Sequence, residues 1–227
     1  VSKRPIYILG GVVAVCALAG LVWYEASGPA KDPAIATAVT AAPPEIIGKD
    51  EPHALGDPKA KVTLIEYAAP RCPHCARFEI NVFPDLKKAY IDTGKVHFVF
   101  RVFPLSEDDG NAEKLGRCLS PDLYFDFMDM LFRNQPSWDD EYGVMDVKGG
   151  LVQMARTAGM KPDQARACMA NKQTDIDINK TASDAVARYQ VDATPTLVVN
   201  GKVQQPPPGQ EWSFEALSQV LDAAAKS

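Results

Sequence analysis

Cys72-Pro73-His74-Cys75 is the stretch whose residue types and spacing could do chemistry. Two cysteines three positions apart can close a disulfide across one helical turn. If the first stands at a helix N-terminus, the unpaired N–H groups and the positive end of the helix dipole favour its thiolate. The thiolate is the nucleophile of sulfur chemistry. Rival uses of the same pattern fit less well. A structural zinc site would want a second C-x-x-C or a His pair. The remaining cysteines, Cys16, Cys118 and Cys168, stand singly, and the other histidines are His53 and His97. A c-type haem needs His directly after the second Cys, and residue 76 is Ala. No metal is expected. An inert structural disulfide is the bland alternative to redox use.

The flanking residues supply the elements that must hold this pair. Val62-Thr63-Leu64-Ile65-Glu66-Tyr67 is a short apolar, β-branched run and predicts a buried strand. Ala68 to Arg71 is the turn after it. From Cys75 on, Phe78, Val82, Leu86 and Ala89 recur at helical spacing. Cys72 therefore falls at a strand-to-helix junction. Pro73 suits the first helical position, where a missing N–H costs nothing. Pro84 is expected to kink the helix and Thr93-Gly94 to close it. Val96 to Phe103 predicts a second strand, stopped by Pro104.

Residues 106–175 read as helical. Ala112, Leu115 and Leu119 share a face, as do Phe125, Met128 and Phe132, and again Leu151, Met154, Ala155 and Ala158. Pro121, Gln135-Pro136, Gly149-Gly150 and Gly159 are read as breaks. The Met and aromatic residues here are expected in the core rather than around a cofactor. Ile178, Ala182, Ala185 and Tyr189 line a further helix. Thr194 to Val199 opens a strand, Asn200-Gly201 signals a two-residue hairpin, and Ser213 caps a last helix.

The N-terminus differs in composition. Ile6 to Trp23 is uncharged and apolar, preceded by Lys3 and Arg4. At ~1.5 Å per residue the run spans roughly 27 Å, enough to cross a bilayer core. A transmembrane anchor over residues 1–25 is expected. A signal peptide cleaved near Gly28-Pro29-Ala30 is the alternative. Either way Lys3 and Arg4 stay in the cytoplasm and the rest is exported. Cys16 reads as a small hydrophobe in the apolar run. Residues 26–55, rich in Ala and Pro, read as a linker and 56–227 as the folded domain. The net charge of −5 over 227 residues offers no footprint for nucleic acid.

Taken together, these stretches resemble the thioredoxin superfamily, and within it the DsbA-like thiol:disulfide oxidoreductases. The resemblance rests on Val62–Ile65 leading through Glu66 to Cys72-Pro73-His74-Cys75. It rests also on Thr93 to Leu105, and on Ala193-Thr194-Pro195-Thr196 with Asn200-Gly201. It implies an α/β thioredoxin fold with an all-helical insertion. Cys72 would attack and be attacked, and Cys75 would resolve. His74 would stabilise the Cys72 thiolate. Pro195 matches the family's cis-proline, Thr194 would pair with substrate backbone, and Glu66 matches a buried acid that relays a proton to Cys75. Cys118 and Cys168 flank most of the helical block. Export favours a disulfide, and with Cys72–Cys75 paired and Cys16 in the apolar run, these two are expected to bond. Two buried free thiols are the alternative.

The resemblance implies thiol–disulfide exchange without organic cofactor. The chain would donate the Cys72–Cys75 disulfide to folding exported proteins and be reoxidised by a membrane quinone-linked protein. It would work as a monomer on the periplasmic side of a bacterial inner membrane. A disulfide isomerase or reductase, kept reduced by a membrane electron donor, is the alternative. A Cu(I)-binding module using Cys72, Cys75 and His74 is a third reading.

Overall fold

The computed structural model describes residues 53–227. The anchor expected over residues 6–23 and the linker up to residue 52 lie outside them. Among the described residues no helix is long and apolar enough to cross a membrane.

A five-stranded mixed sheet carries the fold. Its strands are β1 (Ala54–Leu55), β2 (Val62–Ala68), β3 (Val96–Val102), β4 (Thr196–Val199) and β5 (Lys202–Gln204), in the order β1-β3-β2-β4-β5. β2 is central: it runs parallel to β3, with Glu66 opposite Phe100, and antiparallel to β4, with Glu66 opposite Leu197. Burial on both faces explains its nearly unbroken apolar sequence. Side chains of β2 alternate between two cores. Val62, Leu64 and Ala68 enter the larger one, while Ile65 and Tyr67 enter the smaller one behind the sheet. That period of two puts Glu66 on the Leu64 and Ala68 face.

Two short helices, α1 (Pro73–Asn81) and α2 (Phe83–Leu86), link β2 to β3. The break between them falls at Val82, two residues before Pro84, because proline lacks the N–H and crowds the preceding turn. A π-helical stretch over Lys87–Ile91, which the side-chain pattern did not announce, follows. The insertion comprises α3 (Glu107–Cys118), α4 (Tyr124–Arg133), α5 (Val147–Thr157) and α6 (Pro162–Met169). Its aromatic and Met side chains, Tyr124, Phe127, Met128 and Phe132 among them, lie in the larger core. A disulfide joins Cys118 to Cys168, with the Cα atoms 6.2 Å apart. α7 (Lys172–Tyr189) then buries Ala185 against the smaller core, and α8 (Phe214–Lys226) packs Leu217 and Leu221 into the larger one.

Three local readings are corrected. Gly149 and Gly150 do not break the chain; both lie in the first turn of α5. A Cβ on Gly150 would sit 2.8 Å from the Trp138 Cα, so the glycine is there for close approach to the buried Trp138. Position 175 falls inside α7, which is continuous from its Asn171 cap. Ala54–Leu55, grouped by sequence with the linker, pairs antiparallel with β3. Elsewhere local chemistry matches the geometry. Asn200 and Gly201 both take positive φ (46° and 77°) in the β4–β5 turn, and the Ser213 hydroxyl accepts from the Ala216 N–H.

Candidate active site

Cys72 is the N-cap of α1, in extended conformation (φ −69°, ψ 119°), and Pro73 opens the helix. The residue before a proline is pushed away from helical geometry, so the Cys-Pro pair itself sets this boundary. Cys72 and Cys75 are both in the thiol form, 8% and 0% exposed. The Cys72 sulfur lies 3.4 Å from the carbonyl oxygen of Thr194, to which the thiol donates. The Thr194–Pro195 bond is cis. Five residues named from sequence, Cys72, Pro73, Cys75, Thr194 and Pro195, thus meet at one end of α1.

The two sulfurs differ in acidity. Cys72 is lowered to about 5: the Cys75 thiol donates to it, burial opposes, and Thr194 and the backbone N–H groups of Cys75 and His74 add further support. The Thr194 hydroxyl is buried with no hydrogen-bond partner in this state, so it is free to donate to a thiolate. Cys75 is pushed well above its ordinary value by burial first, and then by the Cys72 sulfur and Glu66. The pair therefore ionises at Cys72 alone near neutral pH.

Glu66 is fully buried on the α1 side of the sheet, and neither carboxyl oxygen makes a hydrogen bond of ordinary geometry among the described residues. Burial first, then Glu79, then Cys72 raise its pKa well above that of an ordinary carboxylate. The buried site thus favours its neutral form. Glu79, which sequence reading passed over, is a second buried acid, raised to about 7 chiefly by desolvation. A signal was present: Glu79 follows Cys75 by four residues and shares its helical face with Phe78 and Val82.

His74 reaches the pair through its backbone and not its ring. Its ring is exposed, with Nδ1 2.8 Å from both Glu211 Oε1 and the Arg77 guanidinium. What reaches the Cys72 sulfur from His74 is its backbone N–H. Glu211 is drawn down to about 2 by Arg77 first and then by His74. Glu211 lies 137 positions from His74, and no local pattern announces that pairing. Beside this cluster runs a groove of about 400 Å³, walled by Phe78, Val82, Pro195, Pro206 and Trp212. Among the described residues no group of three or more His, Cys, Asp or Glu is placed to hold a metal ion.

The arrangement is a redox dithiol with one acidic sulfur at the helix start and one more deeply buried sulfur backed by an acid whose neutral form is favoured. Comparison with known proteins agrees with that chemistry. The thioredoxin family model matches residues 49–223. The chain is 31% identical over 156 residues to disulfide bond formation protein D of Bacillus subtilis, covering 66% of this chain and 68% of that one. A Rickettsia typhi protein carrying the provisional name protein-disulfide oxidoreductase is 32% identical over 172 residues, 75% of this chain. The chain spans 60% of that relative's length, and 62% and 63% of its counterparts in Rickettsia prowazekii and Rickettsia bellii. Among solved structures, alpha-DsbA1 of Wolbachia pipientis superposes with TM-score 0.66 at 31% identity, covering 76% of this chain and 90% of that one. Bacillus subtilis BdbD in its oxidised form superposes equally well, at 27% identity, with 81% and 96% covered.

Proposed function

Because this chain belongs to the DsbA-like thiol:disulfide oxidoreductases of the thioredoxin superfamily, we propose that it acts as a disulfide oxidase, donating Cys72–Cys75 to exported proteins. The observation that carries the direction is the acidity of Cys72, lowered to about 5. A stabilised thiolate exists only in the reduced protein. It favours the reduced form and makes the disulfide a strong oxidant.

In the proposed cycle a substrate thiolate attacks the Cys72 sulfur of the Cys72–Cys75 disulfide. A substrate–Cys72 bond forms, the Cys72–Cys75 bond breaks, and Cys75 leaves with the electron pair. Cys75 takes a proton from Glu66, whose buried site favours the neutral form, and Glu66 is reprotonated from solvent. A second substrate thiol, having lost its proton to solvent, attacks the substrate sulfur of the mixed disulfide and expels Cys72 as a thiolate. The substrate loses two electrons and the protein gains them. Thr194 and Pro195, which line the apolar groove, would align the substrate backbone. His74 would help through its backbone.

The Cys118–Cys168 disulfide supports work in an oxidising compartment. With residues 6–23 as an anchor, that compartment would be the periplasmic side of the inner membrane. A membrane quinone-linked protein would restore the disulfide, and the chain would act as a monomer. Alkylation trapping in living cells tests the direction. Cys72–Cys75 should be found oxidised at steady state. A reduced pair would assign the chain instead to disulfide isomerisation or reduction.

A further inference from the structure

The turn that delivers Cys72 is held by side chains of the helical insertion. Gln135 lies in the 3₁₀ turn Gln135–Ser137 that follows α4, and it is 2% exposed. Its Nε2 donates to two backbone carbonyls of that turn, Pro70 O at 2.8 Å and Cys72 O at 3.1 Å. The partners fix the orientation of the amide: both carbonyls can only accept, while the Tyr142 hydroxyl donates to Gln135 Oε1 at 3.3 Å. Between the two carbonyls, the Arg71 N–H donates to Asp109 Oδ1 at 2.9 Å, from the first turn of α3. The Arg71 side chain reaches Asp139 at 2.7–2.8 Å and also pairs with Asp140. Asp109 and Asp139 are fully buried. Three consecutive residues, Pro70, Arg71 and Cys72, thus have a backbone group bound by a buried side chain some forty to sixty-five positions away.

We propose that Gln135 is a positioning residue for the redox pair, through which the insertion fixes the Pro70–Cys72 turn and thereby the aim of the α1 N–H groups at the Cys72 sulfur. The Cys72 carbonyl also accepts the first hydrogen bond of α1, from the Ala76 N–H at 3.0 Å. Its direction sets the direction of the whole first turn. The N–H groups of His74 and Cys75, which support the thiolate, belong to that turn. Gln135 occupies the second lone pair of the carbonyl and ties it to Pro70, on the other side of Arg71. Removing the amide frees the turn to rotate and misaligns donors that gain their strength from fixed geometry. The insertion would then tune the redox pair as well as cover it.

The proposal rests on the reading of Cys72 as a stabilised thiolate, and one experiment separates the two. Thiolate absorbance of the reduced full chain is titrated against pH for wild type and Gln135→Met, which keeps length and removes both donors. Each is also equilibrated with glutathione. The wild type should titrate near the value of about 5, and the variant about one pH unit higher, with a disulfide roughly tenfold less oxidising. A variant midpoint within about 0.2 units of wild type, with only a lowered melting temperature, overturns the positioning role and leaves the functional reading intact. A wild-type midpoint at the ordinary thiol value overturns both. If the variant does not fold, the wild type decides by NMR. The Gln135 side-chain amide protons should be protected from exchange and should shift between oxidised and reduced protein. Rapidly exchanging protons with the same shift in both states overturn the proposal.

Discussion

The Cys72 sulfur and the Thr194 carbonyl oxygen stand 3.4 Å apart, although 122 positions separate the two residues in the chain. That contact joins the first half of the fold to the second at the point where chemistry would occur. A thiol can donate to the carbonyl, whereas a thiolate cannot. The ionised sulfur must rely instead on the backbone N–H groups of α1, the Cys75 thiol and Thr194.

This division of labour decides which sulfur reacts. Cys72 should alkylate rapidly in the reduced protein, with a rate that falls only as pH drops toward about 5. Cys75, buried and shifted upward, should label slowly. Peptide mapping after brief alkylation at pH 6 checks this, and faster labelling of Cys75 would reverse the assignment.

Glu66→Gln should slow substrate oxidation by ~10²-fold, the low end of what a general acid contributes, while the Cys72 titration midpoint barely moves. Burial favours the neutral form of Glu66, so replacing it with a neutral amide changes little of the field at Cys72. Turnover equal to wild type across pH 6–8 would leave Glu66 a structural role only.

Glu79 should leave a mark on stability. Its folded pKa, about 7, lies above the ordinary carboxylate value. The unfolded chain gives up this proton first, so the fold loses stability as pH rises from about 4.5 to about 7. Glu79→Gln should remove part of that loss and gain stability over wild type at pH 8, with little gain at pH 4. Urea unfolding at the two pH values reads the difference. A variant with the wild-type slope would place the titration elsewhere.

Much of this site was legible because local rules govern it. Cys-Pro sets the N-terminus of α1, alternation along β2 places Glu66 beneath that helix, and Asn-Gly makes the β4–β5 turn. What escaped was set by packing between distant segments. Gly150 reads as a breaker until Trp138 is known to press on it. Gln135 reads as a polar turn residue until it is found buried under Pro70 and Cys72. Glu79 was within reach, since its helical face could be counted, but an acid on a short amphipathic helix resembles a solvated one. The Glu211 partner of the His74 ring, from the loop before α8, has no local signature either.

The Cys118–Cys168 bond closes a loop with a sequence separation of 50. Chain entropy allows it about 4 kcal/mol at most. Replacing both cysteines with alanine should lower the melting temperature markedly and leave the Cys72 titration unchanged, since the bond ties α3 to α6 and not to the Pro70–Cys72 turn. A shifted Cys72 midpoint in a folded double variant would mean that the staple also governs the redox pair.

On the oxidase reading, thiolate stabilisation makes the reduced form the more stable one. Cys72 has its folded pKa, about 5, below its ordinary value of 9.0. Its contribution to the reduced protein is full above the ordinary value, declines as pH falls, and is gone below the folded one. The opposing constraint of a Cys72–Cys75 disulfide is small, ~2 kcal/mol for so short a loop. Paired thermal melts of oxidised and reduced protein at pH 7, with Cys118–Cys168 intact in both, weigh the two directly. The reduced protein should melt at the higher temperature at pH 7, and the order should reverse as pH is lowered toward 5. A higher melting temperature for the oxidised protein at pH 7 would contradict the oxidase reading.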